Sequence, residues 1–153
     1  MKLKFSSETI PLHTTASGKT FEIDVWRYSH PDATKTVYLQ AGIHGIELTG
    51  IPVVHEFMKE IEANQLAYNF ICVPLSNPMG LDSQIMGVQT GYNNLHTNQQ
   101  NCLNWNRIGN LKDEPSQEGH WIKTLLDLSS KADIVLDLHT AGIETVPHIY
   151  FHK

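Results

Sequence analysis

The sequence predicts an α/β fold, with a mixed, largely parallel central sheet and helices on both faces. Two short, almost continuously apolar runs, 36–40 and 68–75, read as strands covered on both sides. A helical periodicity separates them, and a second helical pattern precedes a third apolar run at 133–138, giving the order strand, helix, strand, long loop, helix, strand. Histidines stand at the ends of two of the runs, His44 and His139, where sheets of this class bind ligands.

Residues 1–20 are polar and mixed, with a turn at Ser17-Gly18. Phe21, Ile23 and Val25, continued by Tyr28, alternate with Glu22, Asp24 and Arg27, the period of a half-buried strand. Ser29-His30-Pro31-Asp32 reads as a turn, and Thr36 to Gln40 as the next strand. After Glu47 the period changes. Leu48, Ile51, Val54, Met58 and Ile61, with Val53 and Phe57 alongside, recur as one face of a helix that ends near Asn64. Pro52 belongs in its first turn, where a missing N–H costs nothing. Tyr68 to Leu75 forms a buried strand that stops at the turn Ser76-Asn77-Pro78-Met79-Gly80. Residues 80–114, rich in Asn, Gln and Gly, show no period and read as a binding loop over the site. Ser116 caps a helix with Glu118 in its first turn and Trp121, Ile122, Leu125 and Leu128 on its buried face. Residues 133–138 follow as a strand, Thr140-Ala141-Gly142 as a turn, and 146–151 as the start of another strand.

The 153 residues suit one domain, 1–153, with chain enough for a real core. A formal charge of −5 argues against a nucleic-acid partner, which needs a basic face. Nine histidines point mildly to metal or proton chemistry. The two cysteines, Cys72 and Cys102, form no framework, and Cys72 in an apolar strand reads as a buried thiol in a reducing compartment. Met1-Lys2-Leu3-Lys4-Phe5 has no apolar stretch behind it to make a signal peptide, and no segment has the length to span a bilayer. The expectation is a cytoplasmic protein without a membrane partner.

The chemistry centres on His44-Gly45-Ile46-Glu47 and on Asp137-Leu138-His139. Side chains at i and i+3 of a helical turn face the same way, so His44 and Glu47 can reach one ion. A lone His-x-x-Glu is commonly a loop histidine beside a glutamate that favours a helix N-terminus. A second strand-end histidine, His139, turns the balance towards a metal. Two nitrogens and one carboxylate make three ligands with room for water, the pattern of a catalytic zinc. Asp137 shares a strand face with His139 and could hold its imidazole in the metal-binding tautomer, or be an ordinary polar strand-end residue. The other histidines, His13, His30, His55, His96, His120, His148 and His152, have no comparable partner spacing. Asn106 and Arg107 suit a substrate carboxylate, which guanidinium matches bidentately, though alone Arg107 is more readily a solvated loop residue.

Together His44-Gly45-Ile46-Glu47, Asn77-Pro78-Met79-Gly80, Asn106-Arg107 and Asp137-Leu138-His139-Thr140 resemble the zinc carboxypeptidase superfamily. Within it, Asp137 to Thr140 followed by Val146-Pro147-His148 looks like the succinylglutamate desuccinylase/aspartoacylase branch. The resemblance covers residues 36–150 in order and approximate spacing. It implies a zinc carboxypeptidase-like fold of which this chain is the N-terminal half. It implies one zinc ion per chain held by His44, Glu47 and His139, and a substrate carboxylate bound by Asn106 and Arg107. The reaction it implies is hydrolysis of an amide bond in a small molecule or peptide with a free carboxylate, an N-acyl amino acid in the nearest branch.

This chain departs from the family's pattern in three ways. The arginine usual between the Asn-Pro turn and the Asn-Arg pair has no counterpart between Asn77 and Asn106, Asn104 stands where an aspartate is common, and the family's general base lies well beyond the third ligand. The chain ends fourteen residues past His139, with Glu144 its only carboxylate there and too close to match. The expectation is a domain incomplete at its C-terminus, with an unpaired sheet edge. The alternatives are a carboxypeptidase-like metallopeptidase, a non-catalytic zinc-binding domain, and an α/β module without metal.

Overall fold

Strands apolar on both faces must be covered on both faces, and that requirement sets the order of the sheet. The computed structural model describes residues 3–82, 84–85, 88–89, 93–94, 103–140 and 149. The chain runs through β1 (Lys4–Thr14), β2 (Thr20–Ser29), β3 (Thr36–Ala41), helix α1 (Gly50–Asn64), β4 (Asn69–Val73), the short helix α2 (Pro78–Asp82), helix α3 (Gln117–Ser129) and β5 (Ile134–Leu138). These five strands form one sheet in the order β1-β2-β4-β3-β5. β4, β3 and β5 are parallel, while β2 joins β4, and β1 joins β2, antiparallel. The sheet is mixed, with its parallel part around β3.

Alternation along β3 divides the core in two. Tyr38 packs with Ile23, Val25, Ile71 and Val73 against Trp121, Ile122, Leu125 and Leu128 of α3. Val37, Leu39 and Ala41 pack with Phe70 and Cys72 against Val54, Met58 and Ile61 of α1. The helices therefore cover opposite faces, as the double-sided strands require. Cys72 is fully buried, and burial pushes its thiol pKa up to about 12.

α1 ends at Asn64, where Gln65 turns left-handed at φ +48°, and Pro52 lies in the first turn, where its lack of an N–H is harmless. Its inward face is Val54, Met58 and Ile61. Two residues assigned to the helical face by spacing do not lie inside: Leu48 precedes the helix at 43% exposure, and Val53 is 50% exposed. α3 begins as its cap predicts, with the Gly119 N–H donating to Ser116 Oγ at 3.0 Å. Glu118 is buried in its first turn.

β1 is the main departure from the sequence reading. Residues 4–14, within a stretch read as polar and mixed, form an edge strand paired with β2 along its length, with a register shift between Pro11 and His13. Only Leu12 of the strand is buried. Edge strands with both sides wet carry no hydrophobic alternation, and a bulge beside a proline blunts such an edge. The turn at Ser17-Gly18 holds, with Gly18 at φ +86°.

In the long segment after α2, Gln84–Ile85 pairs with Val88–Gln89, and Asn93–Asn94 with Leu103–Asn104. Two 3-10 turns follow, Trp105–Arg107 and Gly109–Leu111. Residues 83, 86–87, 90–92 and 95–102 of the expected binding loop, and all of the strand expected at 146–151 except Ile149, lie outside the described residues. Among the described residues β5 pairs with β3 alone, and its Ile134, Val135 and Leu136 are exposed. No helix among them is long and apolar enough to cross a membrane.

The division of α1 into two faces can be measured. Ile61→Ala is expected to cost about 2–5 kcal/mol in urea unfolding. Val53→Ala should stay within about 0.5 kcal/mol. Similar losses for both would contradict the assigned helix face.

Candidate metal centre

Val37 to Ala41 pairs in register with Ile134 to Leu138, so β3 and β5 end at the same level. His139 follows β5 directly. The chain leaves β3 through Gly42 at φ +68°, a conformation that a side chain would strain. A tight turn follows, closed by the Glu47 N–H donating to His44 O at 3.0 Å. His44 and Glu47 therefore share a turn ahead of α1, and Glu47 does not serve that helix's first turn.

The turn brings His44 Nδ1 within 2.9 Å of Glu47 Oε1. His139 Nδ1 lies 3.0 Å from Glu47 Oε2, and the Thr140 N–H donates to the same oxygen at 2.9 Å. One ligand atom from each of His44, Glu47 and His139 falls within 4.8 Å of the others, the only such group among the described residues. Imidazole lone pairs and carboxylate oxygens repel one another, so only protons or a cation can occupy the space between them. His44 and Glu47 are buried, while His139 is open to solvent. Two nitrogens and a carboxylate with one accessible side form the donor set of a catalytic zinc site, and the residues fit such an ion.

A second layer steadies His139. Asp137, two residues back on β5, places Oδ2 at 2.9 Å from His139 Nε2. That contact raises the imidazole pKa above its ordinary value; partial burial opposes the rise and the charges of Asp137 and Glu47 add to it. A proton kept on Nε2 leaves the Nδ1 lone pair directed at the cluster. Asn106 Nδ2 approaches the same Nε2 at 3.3 Å. Arg107 is exposed in the same 3-10 turn and donates from Nη1 to Asn106 O at 2.9 Å. Asn106 thus touches the cluster, and Arg107 is tied to Asn106.

The remaining described histidines stand elsewhere. His55, exposed on α1, meets Trp26 edge-on at 5.0 Å, and His30 accepts from the Asp32 N–H. His96, His148 and His152, and the side chain of Asn104, lie outside the described residues.

Sequence reasoning singled out the Asn77 turn but missed that it lies beneath the His44 turn and supports it. Asn77 and Ser76 are fully buried there, and Trp121 donates its indole N–H to Ser76 O at 2.7 Å. Gly45 meets the backbone of α2 so closely that a Cβ would lie 2.2 Å from Gly80 C and 2.3 Å from Gly80 O. The Ser-Asn-Pro-Met-Gly string signalled a turn, but nothing in it signalled what the turn supports.

The protein-family model of the succinylglutamate desuccinylase/aspartoacylase catalytic domain matches residues 33–153. Among solved structures, the chain is similar to a succinylglutamate desuccinylase/aspartoacylase family protein from Shewanella amazonensis, with a TM-score of 0.76 and 24% identity, covering 89% of this chain and 47% of that one. A counterpart from Shewanella frigidimarina gives 0.75 and 22%, covering 90% and 46%. Carboxypeptidase A from Helicoverpa armigera gives 0.55 and 15%, covering 89% and 41%. These likenesses show the fold, and the chain spans about half the length of the two Shewanella proteins. No curated protein sequence matches it.

The Gly45–Gly80 contact makes a sharp comparison. Gly45→Ala is expected to destabilise by about 1–3 kcal/mol, since backbone rather than a movable side chain blocks the new methyl. At Gly109 a Cβ meets nothing within 4 Å. Gly109→Ala should be close to neutral in the same urea titration, and equal behaviour of the two variants would refute the close approach.

Proposed function

The chain belongs to the succinylglutamate desuccinylase/aspartoacylase family, and from that premise we propose that its cluster serves zinc-dependent hydrolysis of an amide bond in a small, carboxylate-bearing substrate. An N-acyl amino acid is the class that fits. The observation that carries the reading is the convergence of His44, Glu47 and His139 within 4.8 Å at the carboxyl ends of two parallel strands. His44, Glu47 and His139 would hold a zinc ion, which would supply Lewis acidity to a carbonyl oxygen and an acidified water.

The chain's own groups then have distinct tasks. Glu47 gathers both imidazoles and fixes their separation. Asp137 keeps the His139 Nε2 proton in place, so that Nδ1 stays a donor of electrons. Arg107 would offer a planar fork of N–H groups to the substrate carboxylate, a role supported by its contact with Asn106, whose side chain reaches His139. A carboxylate held there orients the scissile amide and converts part of the barrier into binding.

Metal content and kinetics test the reading separately. Mass spectrometry on the purified chain should find about one zinc per chain, lost in a folded His44→Ala, His139→Ala double variant. A wild type that stays metal-free after zinc is supplied would sink the proposal. Asp137→Asn should weaken zinc binding by about 10–100-fold. If the protein hydrolyses N-acyl amino acids, Arg107→Ala should raise KM steeply for carboxylate substrates and far less for their neutral amides; equal losses would remove the clamp.

A further inference from the structure

We propose that Asn77 is a positioning residue for the His44 turn: its buried carboxamide fixes the backbone at Ile43 and thereby sets where the His44 imidazole stands. The consequence for metal rests on the function proposed above; the positioning itself does not.

Asn77 is fully buried, so each of its polar atoms must be matched inside the protein. Both are matched at the turn. Nδ2 donates to Ile43 O at 2.9 Å, one residue before His44. Oδ1 accepts from the Gly80 N–H at 2.8 Å. One carboxamide therefore joins the start of α2 to the backbone that carries the first proposed ligand. An apolar residue of the same size would fill the space and leave the Ile43 carbonyl and the Gly80 N–H unmatched, a costly outcome for buried groups.

Asn77 acts in a series of contacts along the same stretch. Ser76 donates to Ala41 O twice, from its backbone N–H and from Oγ, both at 2.9 Å. Gly45 lies flush against Gly80. Ala41, Ile43 and Gly45 are thus each held against residues 76–80, and His44 sits between two anchored neighbours. Among these, the Asn77 contact is the nearest made by a side chain to the His44 backbone, and its planar amide fixes both distance and direction.

The test uses the full chain, with Ile61→Ala as a control that destabilises the opposite core without touching the turn. Amide hydrogen exchange is read first, on metal-free protein, at the Glu47 N–H that closes the turn on His44 O. Asn77→Ala should speed exchange at Glu47 by on the order of tenfold or more, relative to the amides of α1. Ile61→Ala should not. Zinc affinity is read second, by chelator competition, and Asn77→Ala should lose about 10–100-fold. Unchanged Glu47 exchange in Asn77→Ala, or the same acceleration in Ile61→Ala, overturns the inference. If Asn77→Ala does not fold, Asn77→Ser, too short to span both partners, carries the same comparison. A wild type without zinc affinity would defeat the proposed function, while the exchange result would still decide the positioning.

Discussion

A carboxylate between two imidazoles, all three at the end of a sheet, is the constraint around which this chain is arranged. Glu47 gives one oxygen to His44 and the other to His139 and the Thr140 N–H. Those partners come from segments more than ninety residues apart, so the contact exists only once β3 and β5 are paired in register. A burial of this kind is unfavourable unless each group is matched. The pairing of the strands, the glycine exit from β3 and the carboxylate of Asp137 can all be understood as means of matching it.

The support is unequal on the two sides. His139 follows its strand directly and is held through its own side chain, by Asp137. His44 stands three residues past Ala41, in a turn with no strand to stiffen it. It is held through the backbone on either side, by a second turn packed beneath. That difference explains why the Asn-Pro segment is so deeply buried for a connection between a strand and a short helix. Connections ordinarily run over the surface.

The legibility of the chain follows the same physics. β3 and β4 could be read because coverage on both faces demands unbroken apolar runs, and α3 because Ser116 and its periodic face give both a start and a side. β1 could not, since both of its faces are largely wet and its pairing is supplied by β2. Spacing found α1 and its inward face, Val54, Met58 and Ile61, but extended that face to Leu48 and Val53, which are exposed. The grouping of His44, Glu47 and His139 was legible because parallel strands in register bring their ends together. The contact between Asn106 and His139 depends on the course of a long connection that has no period. The buried role of Asn77 was invisible for a different reason: a surface turn asparagine and a buried bracing one are the same letter in the same kind of string.

Trp121 gives this arrangement a consequence of another sort. Its ring is wholly enclosed, and its N–H is spent on Ser76 O, beside Asn77. The indole therefore stands directly under the turn while belonging to α3 on the far side of the core. An indole so enclosed is expected to emit as one shielded from water and to respond to loosening of the segment it donates to, once the emission of Trp26 and Trp105 is removed by substitution. The protein carries, in effect, an intrinsic optical gauge set beneath its own site.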